Sequence, residues 1–187
     1  MRIRGFEKVS KYADKDIKLP ERSTKNAAGY DFFAPEDMEI PSSLGDMFKE
    51  SFGKLVNEAD FIKKFLTDHN FMSSENGETK TAKPKLLWTG IKAYMLEDEY
   101  LGLYNRSSNP KKLGLILANG VGVVDSDYYN NPDNEGEIGF AFYNIFPWTI
   151  KIKKGDKLGQ GIFTKFLKAD NDDATNEREG GFGSTGE

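Results

Sequence analysis

Residues 114–125 read Gly-Leu-Ile-Leu-Ala-Asn-Gly-Val-Gly-Val-Val-Asp, two short apolar runs on either side of an Asn-Gly pair. Short runs of this kind, bounded by turn residues, are typical of β-strands. The stretch predicts a β-hairpin with strands at 114–118 and 121–124. It ends in Asp125, a carboxylate that follows an apolar strand and is therefore expected to be partly shielded and to point into a cleft.

Similar runs recur along much of the chain. Several alternate apolar and polar residues, as expected for strands with one buried face. They predict further strands at 86–95, 100–104, 138–144, 148–152 and 158–166. The expected fold class is all-β, a jelly roll or distorted β-barrel.

One segment departs from the strand pattern. Between Leu44 and Leu66 apolar residues recur at spacings of three and four, which predicts one or two amphipathic helices. The polar residues 73–84 then predict a flexible return to the sheet. We expect a single domain over 1–187 that carries a helical insertion at 43–83.

Composition restricts the functional classes. The chain has no cysteine, which excludes disulfides and thiolate chemistry, and its first residues lack the apolar run of a secretory signal, so we expect a cytoplasmic protein. No apolar run is long enough to cross a bilayer, and a net charge of -4 argues against nucleic acid as a partner. With His69 as the one histidine, a zinc site is not expected.

Asp125 is a candidate general base. A positioned carboxylate can orient and deprotonate an attacking water, although its low reference pKa means that positioning must supply much of the rate. A calcium loop that starts at Asp125 would need glycine at its sixth position and glutamate at its twelfth, where the chain has Asn130 and Gly136. An aspartate in an ordinary turn is the other interpretation.

Arg106 stands beside the hydroxyls of Ser107 and Ser108. A guanidinium pairs bidentately with phosphate oxygens, and neighbouring hydroxyls can donate to the remaining lone pairs. The group predicts a phosphate contact. A polar turn stopped by Pro110 would explain the same residues.

Residues 178–186 form the glycine-rich run Arg-Glu-Gly-Gly-Phe-Gly-Ser-Thr-Gly. Ordering such a run costs conformational entropy, so it predicts a flexible lid over 170–187 that closes on a ligand. Its arginine and hydroxyls suit a polyphosphate, and the ring of Phe182 suits stacking on a base. A tail that stays disordered is the alternative.

Five segments, in this order, resemble the five motifs of the trimeric dUTPases. They are residues 28–31, 106–108, 119–128, 155–160 and 178–186. The resemblance extends over the chain outside 43–83 and is strongest to versions from Gram-positive bacteria and their phages. It implies a homotrimer of jelly rolls with shared active sites that hydrolyses dUTP to dUMP and pyrophosphate. This reaction limits uracil in DNA and supplies dUMP for dTMP synthesis.

The resemblance implies a role for each residue of the nucleoside site. Asp125 would activate water for in-line attack on the α-phosphorus. Asn119 and the backbone of Val123 and Val124 would read the uracil edge. Tyr128 would lie under the deoxyribose and leave no room for a 2′-hydroxyl.

A second subunit would hold the phosphates. The resemblance implies that Arg106, Ser107 and Ser108 contact them, with Gln160 near the α-phosphate. Asp31 would support Arg106. Mg²⁺ would be coordinated by the triphosphate and waters, with no protein ligands.

A third subunit would supply the tail. Phe182 would cap the uracil, and Arg178, Gly183, Ser184 and Thr185 would contact the substrate, chiefly its β- and γ-phosphates. Three residues separate Arg178 from Phe182, where the commoner pattern has four, which alters the reach of the arginine toward the γ-phosphate.

Asn130 stands where the family usually has glycine. Asparagine tolerates positive φ better than most residues, so we expect the turn to be retained.

Two alternative functions follow from the same resemblance. A dCTP deaminase shares the fold but needs a glutamate at the cytosine amino group, and the sequence predicts none beside Asn119. A nucleotide-sensing regulatory protein would use the insertion at 43–83 to contact a partner. The insertion could instead be a surface loop packed on its own subunit.

Overall fold

The structure is a computed structural model that describes residues 2–43, 83–175 and 178. Within these ranges the chain forms eleven β-strands and one short α-helix, α1, at Ser108–Leu113. The strands are β1 Gly5–Lys8, β2 Tyr30–Phe33, β3 Met38–Ile40, β4 Lys85–Trp88, β5 Ile91–Tyr94, β6 Glu99–Asn105, β7 Leu115–Leu117, β8 Gly122–Asp125, β9 Gly139–Asn144, β10 Ile150–Ile152 and β11 Lys157–Lys165. The predicted helical insertion, 43–83, lies outside the described residues apart from its two ends.

The strands pair antiparallel in four groups. The largest has the order β2-β11-β6-β8 and the next has the order β4-β9-β7; β1 pairs with β5, and β3 with β10. Neighbours in each sheet come from distant parts of the chain, as in jelly rolls, where long connections cross between two sheets. The predicted all-β jelly-roll class is confirmed.

The predicted hairpin at 114–125 is wrong in its pairing. Strand β7 pairs with β9, whereas β8 pairs with β6 in the other large sheet. Both runs are apolar and fit any buried neighbour, so their local sequence does not select a partner. The turn at Asn119 and Gly120, with φ of 67° at the glycine, therefore crosses from one sheet to the other.

The predicted strand at 86–95 is two strands. Strand β4 pairs with β9 and β5 pairs with β1, and Gly90, with φ of 72°, turns the chain between them. The ring of Tyr12 packs so closely on Gly90 that a Cβ there would overlap it. The sequence analysis also missed β1, β2 and β3, which are short and only partly apolar.

The core lies between the two large sheets. Phe32, Phe140 and Phe142 are fully buried, and the rings of Phe32 and Phe140 meet edge to face at 5.5 Å. Gly159 of β11 faces the ring of Phe140, where an added Cβ would overlap the ring. This close approach packs β11, in the sheet that carries β8, against the core.

Candidate active site

Asp125 is the last residue of β8. It pairs with Tyr100 of β6, and its extended backbone then leads into a 3₁₀ turn at Ser126–Tyr128. The turn places the side chains of Asp127 and Tyr128 next to Asp125. About half of the Asp125 side chain is exposed, so the carboxylate is partly shielded at the end of a fixed strand.

A cleft of about 210 Å³ lies beside Asp125. It brings together six residues that the sequence analysis selected: Asn119, Val123, Val124, Asp125, Tyr128 and Arg178. The remaining lining residues are Leu103, Gly122, Glu137, Ile138 and Gly139. Polar groups thus converge on a cleft with partly apolar walls, as is usual in small-molecule sites.

Glu137 is a cleft residue that the sequence analysis missed. We expected no glutamate near Asn119, yet the two line the same cleft. Burial raises the pKa of Glu137, although its Oε1 accepts a hydrogen bond from the Gly90 N–H at 2.8 Å. Its position immediately before the predicted strand at 138–144 is the sequence feature that could have indicated it.

Arg178 contacts the acidic residues of its own chain. Its Nε donates to Oδ1 of Asp127 at 2.7 Å, and a second nitrogen pairs with Asp125. Its guanidinium carbon lies 5.9 Å from the centre of the Tyr128 ring. Burial opposes the charge, but the hydrogen bonds and negative charges of Asp127 and Asp125 raise the pKa of Arg178 above its ordinary value. Phe182, Gly183, Ser184 and Thr185 lie outside the described residues.

The segment around Arg106 forms a helix start. Strand β6 ends at Asn105, and α1 begins at Ser108 with Pro110 in its first turn, where the missing proline N–H costs no helical bond. The alternative interpretation, a polar turn stopped by Pro110, does not describe this segment, because a short helix runs through Pro110. Arg106 is anchored loosely, by a 3.5 Å hydrogen bond from Nη1 to the carbonyl of Lys157.

Asp31 binds Lys157 more closely than it binds Arg106. Its Oδ2 accepts hydrogen bonds from Nζ of Lys157 and Oγ of Ser23, both at 2.6 Å, whereas Oδ1 is 3.9 Å from Nε of Arg106. Burial works against ionisation, but Lys157 and Ser23 hold the pKa of Asp31 below its ordinary value. Lys157, within the fourth motif, was not selected from the sequence and adds a second cation beside Arg106.

Gln160 lies on β11, paired with Tyr104 and Asp31, and its Nε2 donates to the carbonyl of Asn105 at 3.3 Å. Among the residues described, the lining of the Asp125 cleft does not include Arg106, Ser107, Ser108 or Gln160. One chain therefore carries two separate groups of predicted site residues: the cleft group and the Arg106 group.

Residues 2–43 and 83–175 contain no group of three or more His, Cys, Asp or Glu side chains arranged to hold a metal ion. None of their helices is long and apolar enough to span a bilayer.

An all-β jelly roll that carries a small cleft with a carboxylate and a separate group of cations and hydroxyls has the features of proteins that bind phosphorylated ligands. The dUTPase family model matches residues 70–186. Over 188 aligned residues, covering 100% of this chain and 99% of the relative, the chain is 42% identical to the deoxyuridine 5'-triphosphate nucleotidohydrolase of Lactococcus lactis subsp. lactis. The chain belongs to the dUTPase family.

Solved structures agree with this assignment. The crystal structure of dUTPase from Streptococcus mutans is 36% identical and superposes with a TM-score of 0.65 over 89% of this chain and 99% of that one. A dUTPase from phage phi11 of S. aureus, whose structure concerns a structural Mg(II) ion, matches at 15% identity with a TM-score of 0.57 over 94% of this chain and 98% of that one. This second likeness supports the fold alone.

Proposed function

We propose that this protein hydrolyses dUTP to dUMP and pyrophosphate, with Asp125 as the general base. The observation that carries the proposal is the cleft in which Asp125, at the fixed end of β8, stands with Asn119 and Tyr128. The curated relatives are named for the same activity.

Asp125 orients a water molecule for in-line attack on the α-phosphorus and accepts its proton. The bond from the water oxygen to the α-phosphorus forms as the bond from that phosphorus to the oxygen bridging to the β-phosphorus breaks. Pyrophosphate is the leaving group, and dUMP retains the new oxygen. Fixed cations stabilise the charge that develops on the transferring phosphate.

The uracil of the substrate is recognised at the edge of a sheet. Among the described strands β8 is the outer member of its sheet, with β6 on one side. Its free edge presents the N–H and C=O groups of alternate residues, which can pair with the uracil edge as a neighbouring strand would, and we assign this contact to the main chain around Val123 and Val124. The Asn119 amide completes the contact. The Tyr128 ring lies under the deoxyribose and excludes a 2′-hydroxyl.

Three subunits complete each site. In one chain the Arg106 group does not line the Asp125 cleft, so we assign the phosphate contacts of Arg106, Ser107, Ser108 and Gln160 to a neighbouring subunit of a homotrimer. The tail of a third subunit closes the site, with Phe182 on the base and Arg178, Gly183, Ser184 and Thr185 at the phosphates. Asp31 and Lys157 support Arg106.

Mg²⁺ fits this arrangement as an ion carried by the substrate. The polar groups around Arg106 are chiefly cations and hydroxyls, which suit phosphate oxygens better than a protein-held metal ion, and Mg²⁺ commonly binds through substrate phosphates and waters. When bound, Mg²⁺ neutralises charge on the triphosphate. Asp125 is then left to position the attacking water.

The proposed role is to limit uracil in DNA and to supply dUMP for dTMP synthesis. A cytoplasmic site of action follows from this role, since the nucleotide pool used for bacterial DNA synthesis is there. A regulatory protein bound through the insertion at 43–83 remains a prediction. A pull-down that compares the intact protein with a variant lacking 43–83 tests it, and equal recovery of a partner would exclude the insertion as the contact.

The decisive test is Asp125→Asn, which keeps the size of the side chain and removes the base. We expect the turnover of dUTP to fall about 10²- to 10⁴-fold, the usual contribution of a general base, while dUTP still binds. Asp133→Asn, a change at an exposed residue outside the cleft lining, serves as the control. Near-normal release of dUMP from Asp125→Asn would show that the assignment of the base is wrong.

A dCTP deaminase is the alternative that Glu137 brings back, because that enzyme requires a glutamate near Asn119. We expect no ammonia from dCTP, since the relatives of this chain are named deoxyuridine 5'-triphosphate nucleotidohydrolases. A panel of dUTP, dCTP, dTTP and UTP with Mg²⁺, followed for pyrophosphate and ammonia, separates the two activities. Ammonia release from dCTP would establish the deaminase.

A further inference from the structure

The hydroxyl of Tyr128 is fixed from two sides. It donates to the main-chain oxygen of Glu137 at 3.2 Å and accepts a hydrogen bond from Nδ2 of Asn134 at 2.7 Å. The residue is only 6% exposed. Burial raises the pKa of Tyr128, so the hydroxyl stays protonated and remains a donor in neutral solution.

Asn134 is itself held in one orientation. Its Oδ1 accepts a hydrogen bond from the Gly136 N–H at 3.0 Å, an Asx turn. Because an N–H must face the amide oxygen, the amide nitrogen is the atom that faces Tyr128. The Asn134 side chain thus joins the backbone of its own loop to the tyrosine hydroxyl.

The loop that carries Asn134, residues 129–137, is closed by its own backbone. The Asn130 N–H donates to the Glu135 carbonyl at 3.1 Å, and the Glu135 N–H donates to the Asn131 carbonyl at 2.7 Å. Asn130, Glu135 and Gly136 all have positive φ, between 59° and 77°. Asn134 therefore stands on a tightly folded support.

We propose that Asn134 is a positioning residue that sets the depth of the Tyr128 ring, and through it the rejection of ribonucleotides. The inference rests on the ribose role given to Tyr128 under the proposed function. If the ring were free to tilt away from the cleft, a 2′-hydroxyl would find room. The hydrogen bond from Asn134 opposes that tilt.

Asn134→Asp tests this inference, because it replaces only the side-chain NH2 group by an oxygen. The carboxylate still accepts from the Gly136 N–H but has no N–H for Tyr128. The single phenolic proton can then serve either the carboxylate or the Glu137 carbonyl, so one of the two hydrogen bonds that fix the hydroxyl is lost. We expect kcat/KM for dUTP divided by kcat/KM for UTP to fall about fivefold, the size expected for the loss of one hydrogen bond. A loop defect without this specific role would lower both values together and leave their ratio unchanged.

Asp133→Asn is the matched control, one residue away in the same loop, and should keep the wild-type ratio. Thermal melts establish that each variant is folded. If Asn134→Asp does not fold, Asn134→Ser replaces it, because a serine oxygen can also accept from the N–H two residues on. The expected fall in the ratio is the same.

Two variants of Tyr128 separate the inference from the function on which it rests. Tyr128→Phe should lower the ratio by itself, and adding Asn134→Asp to it should lower the ratio no further. A full additional fall in the double variant would show that Asn134 does not act through the hydroxyl. If Tyr128→Ala lowers the ratio while Asn134→Asp does not, the inference is wrong and the ribose role stands. An unchanged ratio in Tyr128→Ala would overturn both.

Discussion

Gly159 shows how one residue without a side chain controls the core. Its Cα faces the ring of Phe140, and a Cβ would overlap that ring. We expect Gly159→Ala to lower the free energy of unfolding by about 1–3 kcal/mol, the usual cost of overpacking. Urea unfolding monitored by circular dichroism measures it.

Phe140→Leu makes room for the added methyl group and provides the control for Gly159→Ala. The double variant should lose less stability than the sum of the two single variants, because the two side chains share one space. Strict additivity would mean that Phe140 does not limit the space at Gly159.

We expect Glu99 to make the free energy of unfolding depend on pH. Arg4 donates to both carboxylate oxygens of Glu99 and holds its pKa below the ordinary value, while burial opposes this effect. A carboxyl whose folded pKa is depressed stabilises the fold above its unfolded pKa and loses that contribution as the pH falls through the folded pKa.

We expect the stability difference between the wild type and Glu99→Gln to be constant near neutrality and to shrink as the pH falls below about 4. The variant has no carboxyl to titrate, so it lacks this part of the acid sensitivity. Urea midpoints measured from neutral to acidic pH give the comparison. If the stability difference between the wild type and Glu99→Gln is the same at all pH values, Glu99 is not a source of the acid sensitivity.

Side-chain chemistry could be predicted where it depends on local sequence. The cleft holds Asp125 together with Asn119 and Tyr128, and the positive φ expected at Asn130 is confirmed at 60°. Glu137 and Lys157 were missed, because their partners, Gly90 and Asp31, are distant in sequence. Whether the site residues act as proposed stays a prediction.

Asn144 ties several elements together at the end of β9. Its fully buried side chain donates to the carbonyls of Ile40, in β3, and Trp148, and accepts from the Phe146 N–H. Asn144→Ala leaves these main-chain groups unpaired. We expect a loss of about 2–4 kcal/mol in the free energy of unfolding, since each buried unpaired group is costly.

The control for Asn144→Ala is Ile116→Ala, on the neighbouring strand β7, where the side chain is 43% exposed. It should change the stability by less than Asn144→Ala, because little buried surface is lost there. Similar losses in the two variants, measured by thermal and urea unfolding, would remove the special role given to the Asn144 side chain.

Strand existence was easier to predict than strand pairing. β6, β9 and β11 were predicted nearly to their observed bounds, because alternation marks a strand wherever it lies. The hairpin at 114–125 and the single strand at 86–95 were wrong, because partners are chosen by contacts far along the chain. In the second case the positive φ of Gly90 ends one strand and starts the next.

The assembly of the active site can be tested by mixing chains. Arg178 contacts Asp125 within one chain, whereas the proposed trimer uses the tail of another subunit. Neither Asp125→Asn nor a variant lacking 178–187 should turn over dUTP efficiently, although both should fold. If sites are shared, random co-assembly of equal amounts of the two variants should restore about a quarter of the wild-type turnover. Each site needs Asp125 from one chain and the tail from another, and half of the chains supply each of them.

The control for this mixture is Asp125→Asn that also lacks 178–187, co-assembled with Asp125→Asn alone, which should remain inactive. Light scattering checks that the species are trimers. If the first mixture is as inactive as its components, each site takes its base and tail from the same chain, as the contact of Arg178 with Asp125 would then indicate.

At the scale of the whole molecule, the jelly-roll class could be predicted because many short strands with one buried face have few ways to close a core. The insertion at 43–83, apart from its two ends, and the tail residues 182–185 lie outside the described residues, so the predicted helices and closing segment stay predictions. The number of subunits depends on contacts between chains, which no pattern within one chain specifies.

The outer position of β8 bears on inhibitor resistance. If β8 reads the uracil edge as proposed, a compound that copies this edge would meet main-chain atoms of β8, and every amino acid except proline supplies the same atoms. The Val123 side chain is 61% exposed, so its replacement would leave those atoms in place. Escape from these main-chain contacts would require changes that move the strand itself, and such changes would also impair binding of the natural substrate.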